Sequence, residues 1–234
     1  MATKFKSLAL YPPKSPNIPI GPVDYDQRYI DNLINTLRLY FNQIDNMGQG
    51  LLTGTAGGSY LKFPYISASD STNQYAGGND TPTQVLWDTL EGSIGFTLNI
   101  DGTASAQQAG IYKIDYSLQF TNTDNTDQHN VYVWLEVDGT PLANSASNFT
   151  VPKAKNASVY GYLVAYSTIT YQVNDGEKIS LWWATDKAYN SVGPVNGVFM
   201  DAIPAKTSPP YAAPAAPSAV GSITFISALP REVP

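Results

Sequence analysis

His129 is the only histidine in this chain and its most chemically versatile side chain. It follows Thr121-Asn122-Thr123-Asp124-Asn125-Thr126-Asp127-Gln128, a polar run between two apolar patterns. General-base catalysis needs an imidazole beside a nucleophile, with a third group to orient it. A single histidine in a polar turn supplies the base alone, so the run reads as a solvated loop. With one histidine and no cysteine, neither a thiolate nor a histidine metal triad can be built, and no disulfide can form. The oxygens of Asp124, Asp127, Asn122 and Asn125 are chemically suited to Ca²⁺, which takes oxygen ligands. Their spacing does not match an EF-hand loop, and the competing reading is a wet hairpin tip.

Other motifs carry less chemistry. The 19 acidic residues are scattered, and no two stand out as the facing carboxylates of a glycoside hydrolase. Gly54-Thr55-Ala56-Gly57-Gly58-Ser59 lacks the Lys-Ser/Thr ending of a phosphate loop and does not open a helix, so it reads as a linker. Asn148-Phe149-Thr150 and Asn156-Ala157-Ser158 match the N-glycosylation acceptor pattern, which is short enough to arise by chance. Aromatics crowd the second half: Tyr160, Tyr162, Tyr166, Tyr171, Trp182, Trp183 and Tyr189. They serve either packing, within or between subunits, or a groove that stacks against sugar rings. Trp182 and Trp183 must point to opposite faces of any strand that holds them. No catalytic residue, metal or cofactor is assigned.

Composition narrows the class further. Hydrophobic residues make up 43% of the 234, enough for a packed core, while charged residues are only 14%. A net charge of −6, with no basic run among the aromatics, argues against nucleic acid as a partner. Ser7-Leu8-Ala9-Leu10-Tyr11 is too short for a signal-peptide core before Pro12-Pro13. No stretch approaches the ~18 apolar residues of a membrane span, so no membrane insertion is expected.

Four segments follow from the pattern. Residues 1–23 carry Pro12, Pro13, Pro16, Pro19 and Pro22, which fix φ and remove donors, so this is an extended arm. Leu8, Leu10, Tyr11, Ile18 and Ile20 give it apolar anchors. Over residues 24–47, Ile30, Leu33, Leu37, Tyr40, Ile44 and Met47 recur at spacings of three and four. Asp24 with Gln27 reads as a capping box and Gly48 as the stop, a helix of roughly 35 Å. Ile34 and Phe41 widen the stripe, favouring three packed helices or one helix on a larger surface over a simple dimer. Residues 48–59 are glycine-rich and read as a linker.

Residues 60–234 read as an antiparallel two-sheet sandwich or jelly roll. Tyr112, Ile114, Tyr116, Leu118 and Phe120 alternate with polar residues, giving one dry and one wet face. Val131–Val137 is apolar on both faces, as in a strand covered on both sides, and Asp138-Gly139 closes a hairpin. Further strands are expected at residues 60–67, 84–87, 94–100, 158–165, 168–173, 179–184, 198–203 and 221–228. Thr207 to Pro217 is too proline-rich for a sheet interior and reads as an extended surface crossing.

Gly110-Ile111-Tyr112-Lys113-Ile114, Val131–Val137 with Asp138-Gly139, and Gly176-Glu177-Lys178-Ile179-Ser180-Leu181-Trp182-Trp183 resemble, in order, three motifs of the C1q/TNF-like jelly roll. Glu177 stands where that family commonly has Asp. Pro214–Val220 before Ile223-Thr224-Phe225-Ile226 resembles the end of jelly rolls in bacteriophage virion proteins. Asp26-Gln27-Arg28-Tyr29-Ile30 through Asn42-Gln43-Ile44-Asp45 is similar to the N-terminal helices of structural proteins from marine and cyanobacterial phages. The resemblance implies a non-enzymatic virion component, made in the host cytoplasm, with a trimeric head. It implies partners among its own copies and other virion proteins such as the major capsid protein or tail components. Capsid decoration or cement protein, or short head fibre, suits a short chain whose arm of about 23 residues reaches on the order of 70 Å. The alternative is a tail fibre or receptor-binding protein whose head contacts a host surface glycan or protein.

Overall fold

The structure is a computed structural model and describes residues 16–17, 24, 26–52 (backbone only for 47–52), 63–190, 196–207 and 212–228. The arm anchors Leu8, Leu10, Tyr11, Ile18 and Ile20 lie outside these residues, as do positions 53–62 and the side chain of Met47. The chain forms two compact units, Met1–Phe63 and Pro64–Pro234.

The first unit contains α1 (Gln27–Leu52, 26 residues). It starts two residues later than the Asp24 capping box requires. Asp26 is the cap: its Oδ1 accepts from the Arg28 backbone N–H at 2.9 Å, satisfying an orphan donor of the first turn. The Asp26 carbonyl accepts from Ile30 N–H, closing the first turn. The helix also continues through Gly48 and Gly50 to Leu52. Glycine permits a stop without imposing one, because continuing costs only about 1 kcal/mol relative to alanine. Ile30, Leu33, Leu37, Tyr40 and Ile44 form a half-buried stripe, while Ile34, Leu39 and Phe41 are exposed.

The second unit is built of strands: β1 (Tyr65–Asp70), β2 (Thr83–Gln84), β3 (Thr89–Ile94), β4 (Phe96–Leu98), β5 (Ala104–Ala106), β6 (Gly110–Asn122), β7 (His129–Val137), β8 (Thr140–Pro141), β9 (Ser147–Val151), β10 (Gly161–Val173), β11 (Lys178–Thr185), β12 (Val198–Met200) and β13 (Ala219–Ser227). One sheet has the order β10-β6-β13-β1-β3, with β12 continuing alongside β6 beyond β13. The other has the order β4-β5-β11-β7-β8, with β2 also on β11 and β9 also on β7. All the pairings between these strands are antiparallel. The chain passes repeatedly between the sheets, which makes the sandwich a jelly roll.

Alternation decides which side chains are buried. On β6, Tyr112, Ile114, Tyr116, Leu118 and Phe120 face the opposite sheet and are all buried. On the second sheet, Val131, Val133, Leu135, Ile179, Leu181 and Trp183 meet them. Phe120 and Trp183 touch with centroids 5.3 Å apart, and Phe96, Tyr112 and Phe225 form edge-on contacts across the layer. The Tyr112 hydroxyl donates to the Gln108 carbonyl, and burial pushes its phenol up to about 12.

Several boundaries differ from the sequence pattern. The strands expected at 158–165 and 168–173 join into one, β10, which starts only at Gly161, because Tyr166-Ser167 stays in register with Ser117 and Tyr116 of β6. Its start is held close: a Cβ on Gly161 would lie 1.8 Å from the Pro152 carbonyl oxygen. The end of the proline-rich crossing pairs with the residues that precede it, through Ile203↔Ala216 and Lys206↔Ala213, and leads into β13. β7 is buried on its inner face only, since Tyr132 on its outer face is 49% exposed and Trp134 is half-buried. The expectation of cover on both sides is therefore corrected.

Trp183 is fully buried, and its indole N–H has no acceptor among the described residues. Trp183→Ala should cost about 3–5 kcal/mol by opening a cavity. Trp183→Phe should stay within about 1.5 kcal/mol, since losing an unsatisfied donor offsets part of the lost volume. Urea unfolding of the two variants checks both values.

Candidate functional site

His129 is not a solvated loop residue. It opens β7, its side chain is only 12% exposed, and each ring nitrogen meets a carboxylate. Nε2 lies 3.2 Å from Asp124 Oδ2, and Nδ1 lies 3.2 Å from Asp186 Oδ1. Asp186 Oδ2 also accepts from the Asn130 backbone N–H, and the Asp124 backbone carbonyl accepts from Ala154 N–H. The clasp thus ties together the loop after β6, the start of β7, the end of β11 and the loop before β10. A base committed on both nitrogens is arranged as a structural tie.

Two of the side chains considered for Ca²⁺, Asn122 and Asp124, are engaged within the same loop. Asn122 Oδ1 accepts from Asp124 N–H, and Asp124 Oδ1 accepts from the backbone and hydroxyl of Thr126. The Thr126 hydroxyl, the Thr126 N–H and then His129 hold the Asp124 carboxyl down at about 2. Among the described residues there is no group of three His, Cys, Asp or Glu side chains able to hold a metal ion.

The structure separates the aromatics that the sequence groups. Trp183 is core, whereas Trp182 points to the outer face of the second sheet. Tyr189 packs in a stack with Tyr75 and Phe199, at centroid distances of 5.8 and 5.0 Å. Tyr160 is 37% and Tyr162 55% exposed. Two surfaces result. The first lies on β10, the terminal strand of its sheet, where Tyr162, Val164 and Tyr166 share the outer face at 55, 58 and 59% exposure. The Tyr166 hydroxyl donates to Asp115 Oδ1, which also accepts from the Thr168 hydroxyl and pairs through Oδ2 with Lys113 at 3.0 Å. This polar knot holds the Tyr166 ring on the sheet surface.

The second surface is the outer face of β7 and β11. Trp134 and Trp182 are paired directly across the two strands, with Glu136 opposite Ser180 and Tyr132 opposite Ala184. Sequence reasoning did not single out Tyr132, Trp134 or Val164 as surface groups. The available signals were the doubly apolar pattern of residues 131–137 and the uncharged run 161–173.

No known protein family matches the chain, and no curated protein does. Among solved structures, one titled "Structure of Eiger TNF from S. frugiperda" is similar at 8% identity and a TM-score of 0.42, covering 74% of this chain and 98% of that one. The jelly-roll assignment rests on the strand order itself. No helix among the described residues is long and apolar enough to cross a membrane.

The clasp has a pH signature. A depressed carboxyl contributes stability that is present above the unfolded value of 3.8 and is lost as pH falls towards about 2. Asp124→Asn should therefore cost on the order of 1 kcal/mol near pH 6, after allowing for solvent screening. The gap to wild type should close between pH 4 and 2, which thermal unfolding across that range measures.

Proposed function

We propose that this chain is a non-enzymatic virion structural protein that assembles as a homotrimer of jelly-roll heads. Its arm and helix attach the head to other virion proteins, as in a capsid decoration or cement protein or a short head fibre. The observation that carries self-assembly is the edge of β10, which has no strand partner beyond β6 among the described residues. This strand is 13 residues long, contains no charge and no proline, and pairs with β6 without a register shift. Monomeric β proteins blunt such edges with lysine, proline, bulges or very short strands. An edge with none of these devices, flanked by exposed Tyr162, Val164 and Tyr166, is suited to burial against another copy. The half-buried stripe of α1 supplies a second surface for the same purpose. Commitment of His129 on both nitrogens supports a non-catalytic role. The virion setting rests on the resemblance of residues 26–45 and 214–226 to phage structural proteins.

A second reading is favoured by the aromatic outer face of β7 and β11. In a tail fibre or receptor-binding protein, that face would contact a host surface glycan or protein.

Light scattering of the purified full chain should give three times the mass of one chain. Val164→Lys should weaken association at least tenfold and leave the circular dichroism spectrum unchanged. A monomeric wild-type protein at micromolar concentration would overturn self-assembly. Antibody labelling of intact particles then separates the locations: label spread over the shell supports decoration, and label at the tail supports the fibre.

A further inference from the structure

We infer that the outer face of β7, β11 and β9 is a binding platform for neutral sugar chains, built on Tyr132, Trp134 and Trp182. The inference deepens the receptor-binding reading by naming a face and a ligand class, and it takes its biological setting from that reading.

Register places the rings together. Trp134 and Trp182 are opposite neighbours, so their Cβ atoms stand about 5 Å apart. Tyr132 is two residues along the same strand face, about 7 Å from Trp134. Both indoles are tied down by neighbours on their own strands. Trp134 Nε1 donates to Glu136 Oε1 at 3.3 Å, and Trp182 Nε1 donates to Ser180 Oγ at 2.9 Å. These bonds tether each half-buried indole along its own strand on the outer side of the sheet. The rings therefore form a fixed surface, and little side-chain entropy is lost when a ligand covers them.

Polar groups rim the rings. Asn148 is paired opposite Tyr132 and donates to its hydroxyl at 3.3 Å, and Gln84 is paired opposite Trp182. Glu136 and Ser180 close one end. Among these positions the only formal charge is Glu136, which the Trp134 indole already engages. Charge complementarity thus disfavours a nucleic acid or a strongly ionic peptide. A pyranose ring is matched on both counts. Its C–H face is apolar and packs on an aromatic ring, while its hydroxyl rim needs amide, hydroxyl and carboxylate partners. The face also differs from the β10 surface: aliphatic Val164 beside a sheet edge suits protein burial, whereas flat rings over fully paired strands suit a stacking ligand.

The test uses the wild-type full chain on an array of immobilised neutral glucans, mannans and galactans, with sialylated glycans as charged controls. Binding to at least one neutral class is expected, with quenching of tryptophan fluorescence by the soluble form of that glycan. Trp182→Ala should reduce binding at least tenfold. Tyr132→Ala should reduce it at least threefold, and because Tyr132 is 49% exposed its removal leaves the fold intact. No binding to any neutral glycan, binding retained in full by Tyr132→Ala, or preference for the sialylated controls would each overturn the platform. None of these outcomes depends on oligomeric mass or location on a particle, so the platform and the assembly reading fail separately.

Discussion

Everything displayed by this head depends on the layer sealed between β6 on one sheet and β7 with β11 on the other. Five consecutive inward positions of β6, from Tyr112 to Phe120, are buried against Val131, Val133, Leu135, Leu181 and Trp183. Burial of that many large side chains is the dominant favourable term in folding. It also fixes register, because a slip of one residue would turn the whole inward set out to solvent. Once these three strands, and β10 beside β6, are registered, the outward positions have no remaining freedom. Asp115 must stand beside Thr168 and Tyr166, and Trp134 must stand opposite Trp182.

The two exposed aromatic surfaces are thus consequences of one inner layer, but they differ in physical character. β10 ends its sheet, so among the described residues no strand pairs with its backbone donors and acceptors on one side. That makes it a directional hydrogen-bonding edge as well as an apolar face, and both properties favour another protein chain. β7 and β11 lie inside their sheet, with backbone groups already paired on both sides. What they present outward is side chain alone, in a rigid plane. The same residue types therefore flank a hydrogen-bonding edge at one place and cover fully paired strands at the other.

The end of the sandwich is secured by polar means. A loop of Asn, Asp and Thr cannot bury apolar area, so it holds its shape through side-chain to backbone bonds. Asn122, Asp124 and Asp127 bond within the loop, and His129 then spans to Asp186 on another strand. The clasp keeps the first residues of β7 against β9 and β11 at the end where apolar cover stops. Its cost is small because both carboxylates keep partial contact with water.

The local features of this chain were legible from residue order alone. Period-two alternation marked β6, and the three-and-four spacing marked α1, because each depends only on near neighbours. The Asp-Gly turn after Val137 was likewise visible, since Asp138 and Gly139 both adopt the positive φ that this turn chemistry favours. That Trp182 and Trp183 would part company followed from strand geometry. Which of them would be buried did not, because the answer depends on where the opposite sheet lies. The role of His129 was invisible for the same reason. Asp124 is near in sequence, but Asp186 lies 57 residues away and is brought in only by the pairing of β11 with β7. Residue order alone marked the longest strands, the helix and the Asp-Gly turn, whose energetics are local. The tertiary structure decided which faces are core, which strand ends its sheet and which aromatics stand together, because those properties belong to contacts between segments far apart along the chain.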